Sequence, residues 1–307
     1  MKSFRTSKDT FFIKIGEEKA VIETDFNYGG CENNIKIEFC ENKKTAFFNG
    51  KKLNSVTNLA GNFNSFIFSP VDLSLIKDSP SVRRKFLDIS IGQLYPKYIE
   101  ILKNYTRAVI QRNKILKDYK YDKTLSIMFD IFEKEISENG KKIIEYRKKY
   151  IDLLQKYFSD IYSGISSGKG KTEIKYIVNF EGDLEEELKN NREKDSVLGI
   201  TSVGPHRDDI EFLINGLSAR NFGSQGQQRS IALSLKFASA EVTKEINGEY
   251  PVCLLDDVLS ELDPKRQNYI LNHIKNWQVF LSCCDPESTN SLIKGKIFNI
   301  KKGEIKN

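Results

Sequence analysis

The sequence predicts an α/β protein that also carries an antiparallel β-rich segment and a helical hairpin. Three observations predict it. Short alternating runs fill residues 1 to 68, apolar residues recur on helical steps between Tyr98 and Tyr162, and the apolar run Val252 to Leu255 ends in two aspartates. Alternation is the period of a strand with one buried face. Three-, four- and seven-residue steps are those of an amphipathic helix, and a short unbroken apolar run fits a buried strand of a parallel sheet.

On this pattern the chain divides into residues 1–68, 69–170 and 171–307. In the first part, "TFFIKIG", "AVIETDF", "NIKIEF" and "KTAFFNG" read as strands of an antiparallel meander. Asn49-Gly50 is a tight-turn dipeptide. In the second part, two prolines in "FSPVDLSLIKDSPSVRRKFLD" precede a basic amphipathic stretch. Tyr98, Ile101, Leu102, Tyr105, Val109 and Leu116 make one apolar stripe, and core packing is its simplest account. Phe129, Phe132, Ile136, Ile143, Ile151, Leu154, Phe158 and Ile161 make another. A break at "KDYKYDK" separates two helices of an αα-hairpin, each about 30 to 50 Å long at 1.5 Å per residue. In the third part a strand leads to the charged helix "DLEEELKNNREKD", where Asp183 and Glu186 have capping-box spacing. The block "TSVGPHRDDIEF" and the helix opening at Ser224 come next.

Of 307 residues, 29% are charged and 39% are aliphatic, aromatic or cysteine, the balance of a globular chain. A net charge of +6 permits a nucleic-acid partner without requiring one. No apolar run is long enough to span a membrane, and "MKSFRTSKDT" lacks the apolar core of a signal peptide. Cys31, Cys40, Cys253, Cys283 and Cys284 form no C-x-x-C pair and only His206 and His273 could join them, which argues against zinc and for a reducing, cytoplasmic setting.

One stretch imitates a phosphate-binding loop. "SGISSGKGKT", residues 163–172, ends in Gly-Lys-Thr, but G-x-x-x-x-G-K-[ST] needs its first glycine where Ile165 stands. Its context runs helix, loop, strand, whereas a phosphate loop runs strand, loop, helix. It reads as a flexible basic loop.

The chemistry lies in the last hundred residues. Asp256 and Asp257 follow the apolar run directly, and ligands bind at the carboxyl ends of strands in α/β sheets. One carboxylate there can hold Mg²⁺ and the next can polarise a water, the Walker B pattern, although a turn or helix cap would use the same residues. "VLSELDPKRQ" adds Ser260, Leu262 and Asp263 as S-x-L-D, and Asp263-Pro264 also reads as an N-cap followed by a first-turn proline. Upstream, Ser224 and Gln227 in "FGSQGQQRS" fit an S-x-x-Q capping box. The same serine, the N–H of Gly226 and the helix N-terminus can together hold an anion.

Taken together, S-x-G-Q, helix, apolar strand with two acids and S-x-L-D resemble the second half of an ABC-type ATPase head. Within that class "TSVGPHRDDIEF" (201–212), "FGSQGQQRSIALSLK" (222–236) and "YPVCLLDDVLSELDPKRQ" (250–267) are similar to the RecF family, as are "KSFRTSKD" (2–9) and "FSPVDLSLIKDSPSVRRKFLD" (68–88). The resemblance runs the length of the chain. It implies a mixed sheet with helices, an antiparallel subdomain and an inserted helical lobe. It further implies ATP and Mg²⁺ sandwiched in an ATP-dependent homodimer. Ser224, Gly226 and Gln227 would cap the γ-phosphate in trans, Asp256 would orient Mg²⁺, Asp257 would stand in the place of the general base, and Asp263 would sit at the dimer seam. Asp257 is shorter than the more usual Glu, which suits slow hydrolysis used as a switch. The implied role is ATP-dependent DNA binding at gaps and stalled forks in repair and replication, with RecO and RecR as partners. Arg83, Arg84 and Lys85 are the candidate DNA contacts, though such a run also suits a solvated helix face.

The chain departs from the family pattern in places. The family opens with a strand, a P-loop and a helix ahead of the "KSFRTSKD" block, and here Met1 stands immediately before that block. The expectation is a chain without its own Walker A. Removal of that strand would leave neighbours unpaired and the isolated chain prone to aggregate. Phe4 replaces the family's His, no lid Gln occurs between Phe68 and Asp72, and Cys283-Cys284 stand where transporter-type heads carry a switch His. Those cysteines read as buried thiols at a strand end. Two other readings stay open: a non-hydrolysing remnant that only binds partners, and a head of the Rad50 or structural-maintenance type, which the short insert disfavours.

Overall fold

The computed structural model describes residues 9–41, 43–119, 121–259, 262–283, 295–301 and 304–306. Phe4, Ser260, Cys284 and most of the "KSFRTSKD" block lie outside them. In chain order the strands are β1 (Lys19–Tyr28), β2 (Cys31–Cys40), β3 (Lys43–Phe48), β4 (Lys51–Lys52), β5 (Ser65–Phe68), β6 (Thr172–Ile177), β7 (Asp209–Ile214), β8 (Leu217–Ser218), β9 (Val252–Asp256), β10 (Val279–Ser282), β11 (Asn299–Lys301) and β12 (Glu304–Lys306). The helices are α1 (Ser74–Lys77), α2 (Pro80–Leu94), α3 (Pro96–Tyr119), α4 (Ser126–Ser166), α5 (Leu184–Asn190), α6 (Arg192–Leu198), α7 (Ala219–Phe222), α8 (Gln225–Asn247) and α9 (Pro264–His273). The chain forms two compact units. One holds the stretch ending at Asn64, Ser79–Asp152 and Tyr176–Ile210; the other holds Ser65–Asp78, Leu153–Lys175 and the stretch from Glu211 onward. Each unit is drawn from three separated stretches; in the second, strands distant in sequence, β5 and β9, pair with one another.

In the first unit β1 to β4 form an antiparallel sheet in chain order. Alternate residues of β2, Ile35, Ile37 and Phe39, are buried with Ala46 of β3. Asn49 and Gly50 turn β3 into β4 with φ of 49° and 76°, the left-handed pair that a two-residue hairpin turn requires. "TFFIKIG" is not the strand expected of it. Asp9–Phe12 is a 3-10 turn whose Phe12 packs on Phe39 with ring centroids 4.8 Å apart. Phe11 is 70% exposed and Ile15 fully exposed, so the run has no continuous buried face to hold it in a sheet.

The expected hairpin is α3 and α4. With 24 and 41 residues, they are about 36 and 62 Å long, and α4 exceeds the expected length. Tyr98, Ile101, Tyr105, Val109 and Leu116 are buried along α3, as are Phe129, Ile136 and Ile143 along α4. A charged cluster joins the two helices. Arg112, wholly buried, donates to Glu133 at 3.1 Å, to Asp195 at 2.6 Å, to Thr201 Oγ1 at 3.2 Å and to the Leu188 carbonyl at 2.9 Å. Arg192 donates to the second oxygen of Glu133 at 2.6 Å. Two guanidinium groups thus balance two fully buried carboxylates and tie α3, α4, α5 and α6 together. Asp183 caps α5 by accepting from Glu185 N and Glu186 N. The helix then breaks at Asn191, ahead of α6.

"GPHRDD" folds as a second junction of the same unit. Gly204 takes φ 122°, and a Cβ there would lie 2.6 Å from the Tyr105 hydroxyl. The Pro205 carbonyl accepts from Arg147 at 2.7 Å, and Arg147 also clasps Asp88 at 2.8 Å. His206 Nε2 faces the Thr201 carbonyl at 3.0 Å and must donate to it, so Nδ1 accepts from Tyr105 O–H at 2.5 Å. Burial pushes the His206 pKa down to about 4, with Arg207 and Arg84 adding to the effect. Asp208 accepts from Tyr176 at 2.5 Å and from Asn179 N at 2.9 Å, and its burial raises its pKa.

In the second unit β9 lies between β5 and β10, parallel to both. Cys253 and Leu255 are buried, but Leu254 is 37% exposed and its register partner Phe280 is 55% exposed. The strand expected to be fully buried is therefore packed tightly on one face and only partly covered on the other. The "SGKGKT" look-alike runs helix, loop, strand: α4 ends at Ser166 and β6 begins at Thr172. Lys171 N donates to Asn215 Oδ1 at 2.9 Å and Asn215 N to the Lys171 carbonyl at 2.8 Å, which fastens the loop to the β7–β8 turn.

Two outcomes follow from the junctions of the first unit. Arg112→Ala leaves the buried Asp195 without its counter-ion, while Glu133 keeps Arg192, and lowers stability by about 3–5 kcal/mol in urea unfolding. The second outcome concerns pH. His206 binds its proton less readily folded than unfolded, so its stabilising contribution is complete above about pH 6.5 and is lost as pH falls toward 4. Asp208, with its raised pKa, works in the opposite sense. The His206→Gln variant retains Asp208 and shows a flatter decline in stability between pH 7 and 4.5 than the parent.

Candidate functional site

Three parallel strands bring polar side chains to one edge of the second unit. Phe68 pairs with Leu255 and Ser282 with Asp256, so Ser69, Asp256, Asp257 and Ser282 all stand at or just beyond carboxyl ends. Ligands bind at this edge of α/β sheets. Ser282 Oγ donates to Asp256 Oδ1 at 2.7 Å. Asp257 takes φ 50°, left-handed for a residue with a Cβ, and its N–H faces the Ser282 carbonyl at 3.3 Å and Oγ at 3.2 Å. At the neighbouring end of β5, where no lid Gln occurs, Asp72 Oδ2 accepts from Ser69 N at 2.8 Å. The other Asp72 oxygen pairs with Lys236 of α8 at 2.9 Å. Lys236 also donates to the Ile67 carbonyl at 2.9 Å.

The second cluster forms at two helix N-termini of the same unit. Ser224 caps α8 through the expected reciprocal box: its Oγ accepts from Gln227 N at 3.3 Å, and Gln227 Oε1 accepts from Ser224 N at 2.8 Å. Ser224 is exposed, and Gly226 and Gln227 are half-buried. Asp263 caps α9 by accepting from Lys265 N and Arg266 N, both at 3.1 Å, with Pro264 in the first turn as expected. Arg266 joins the two ends. Its Nε lies 3.4 Å from Asp263 Oδ2, and its guanidinium lies 3.4 Å from where a Cβ on Gly226 would stand. The sequence reading left out Arg266 and Ser282, and also Lys236.

The basic run behaves differently, in the first unit. Arg83 is 2% exposed and its guanidinium grips Asp209 at 2.7 and 3.0 Å. Arg84 donates to the Asp208 carbonyl at 2.6 Å, and Lys85 alone is exposed. Cys283, expected to be buried, is exposed because it lies beyond the end of β10. Cys253, inside β9, is buried, and burial pushes its thiol up to about 12, which removes it from nucleophilic chemistry near neutral pH.

The donors at the strand ends suit a hard cation. Oxygen ligands are those of Mg²⁺, which is commonly held by one or two carboxylates together with phosphates. Among the described residues no group of three His, Cys, Asp or Glu side chains could hold a metal by itself, so phosphate oxygens would have to complete the set. Among the described residues no helix is long and apolar enough to cross a membrane.

The caps separate fold from function experimentally. Ser224→Ala removes the acceptor for Gln227 N and costs about 1 kcal/mol in thermal or urea unfolding. Gly226→Ala meets only the far end of a long side chain and leaves stability within about 0.5 kcal/mol of the parent.

Comparison with known proteins gives a consistent answer. No family model matches the chain. The chain is 39% identical over 313 residues to the DNA replication and repair protein RecF of Clostridium perfringens strain SM101, covering 99% of this chain and 86% of that protein. It is 42% identical to RecF of Clostridium kluyveri, again over 313 residues with the same coverage. Among solved structures it superposes on the recombination mediator protein RecF–ATPrS of the RecFOR pathway with a TM-score of 0.90 and 34% identity, covering 99% of this chain and 84% of that one. The RecF–ATP structure of the same pathway matches with the same figures. Identity at this level over nearly the whole chain, with a matching three-dimensional architecture, means that the chain belongs to the RecF family of DNA replication and repair proteins, whose fold is an ABC-type ATPase head.

Proposed function

We propose that this chain is an ATP-dependent DNA-binding protein that acts in recombinational repair and at replication gaps, with ATP and Mg²⁺ held between two copies. The observation that carries this reading is the pairing, in one compact unit, of two strand-end aspartates with an exposed, boxed helix N-terminus. The relatives described as RecF–ATP and RecF–ATPrS support it. When bound, Mg²⁺–ATP would supply the phosphoanhydride bond to be hydrolysed. Asp256, to which Ser282 donates, would hold the metal on this chain's side. Asp257, at the left-handed backbone position that follows, would accept the proton of the attacking water. Ser224 Oγ, the Gly226 N–H and the positive end of α8 would cap the γ-phosphate of a nucleotide held by the partner copy. Asp263 stands at the seam. RecO and RecR are the proposed protein partners, in keeping with the RecFOR pathway of the similar structures.

DNA is proposed to be gripped through its phosphates. Within the basic run only Lys85 offers an exposed cation for that purpose, and Arg83 serves the fold through Asp209.

The test is gapped-duplex binding with and without Mg²⁺–ATP. The parent binds more tightly with nucleotide, and its affinity falls steeply with salt. Asp257→Asn keeps the nucleotide-dependent binding but slows phosphate release about 10²-fold or more. DNA binding indifferent to ATP and to Ser224→Ala would sink the reading.

A further inference from the structure

We infer that Ser282 is the positioning residue of the Walker B pair: a single hydroxyl that fixes both Asp256 and Asp257. The inference rests on the proposed function for the chemistry it serves, but its geometry stands independently.

A serine hydroxyl carries one proton and can both donate and accept. The Asp256 carboxylate only accepts, so at 2.7 Å it takes the Ser282 proton. The hydroxyl oxygen is then left as an acceptor, and the Asp257 N–H lies 3.2 Å from it. The direction of both bonds is therefore determined. One bond sets the rotation of the first carboxylate. The other, with the Ser282 carbonyl at 3.3 Å, holds the Asp257 backbone at φ 50°, where a residue with a Cβ rarely rests. Strain of this kind persists only when its surroundings impose it, and the last residue of the adjacent strand is placed to help impose it. Register explains why position 282 serves: Ser282 is the parallel partner of Asp256, so its side chain meets both aspartates and its backbone carbonyl meets the second. Ser282 touches no reacting atom. It acts through the two aspartates, by keeping one pointed at the metal and the other at the water.

Its exposure makes it a clean target. Ser282→Ala and Ser282→Thr leave the core of the sheet untouched, since Cys253 and Leu255 carry the packing. The first readout needs no nucleotide. Amide hydrogen exchange at Asp257 quickens about tenfold in Ser282→Ala and returns to the parent rate in Ser282→Thr, while the unfolding midpoint is unchanged. The second readout is the Mg²⁺ concentration that half-saturates ATP-driven dimerisation, followed by light scattering. It rises about tenfold in the alanine variant and is restored by threonine. Equal Asp257 exchange in all three proteins overturns the inference, whatever the nucleotide result. So does an unchanged Mg²⁺ midpoint in the alanine variant of a protein that dimerises. A parent that does not respond to Mg²⁺–ATP, yet shows the exchange pattern, rejects the proposed function and leaves the positioning role of Ser282 supported.

Discussion

Parallel strands cannot be joined by a tight turn, so β9 reaches its place between β5 and β10 only through long crossovers. The functional edge depends on that constraint. Parallel pairing aligns the carboxyl ends of three strands, the last residues of β5 and β10 being Phe68 and Ser282, 214 positions apart, and it sets Asp256 opposite Ser282 and Leu255 opposite Phe68. A shift of one residue in either register would turn Asp256 toward the buried face of the sheet and Leu255 toward solvent. The apolar residues of the strand therefore specify where the acids stand.

Local signals in the sequence were sufficient where the structure is local. Ser224–Gln227 and Asp263–Pro264 cap their helices as their spacing indicates, because a capping box is closed within four residues. The two stripes of the hairpin were equally legible, since helical periodicity survives whatever packs against it. The false phosphate loop could be set aside from its glycine spacing and its flanking elements alone.

What the sequence concealed was settled at a distance. Arg112 draws on Glu133, Leu188, Asp195 and Thr201, up to 89 positions away, and nothing near Arg112 announces a fully buried cation. Arg83 looks like a neighbour of Arg84 and Lys85 until Asp209 is known to lie beside it. Ser282 ends a four-residue strand and carries no motif of its own. The one available signal was its position: the strand after an acidic strand end in a parallel sheet must place some residue beside those acids. "TFFIKIG" misled because alternation alone does not reveal whether a second layer covers it.

The left-handed backbone at Asp257 narrows which amino acids the site can evolve through. Asp and Asn tolerate that conformation better than longer or β-branched side chains do. An Asp-to-Glu exchange therefore alters both the reach of the acid and the ease of holding the chain where it must be. The short carboxylate and the unusual backbone are coupled, and a longer acid at this position would require compensating change in the strand alongside.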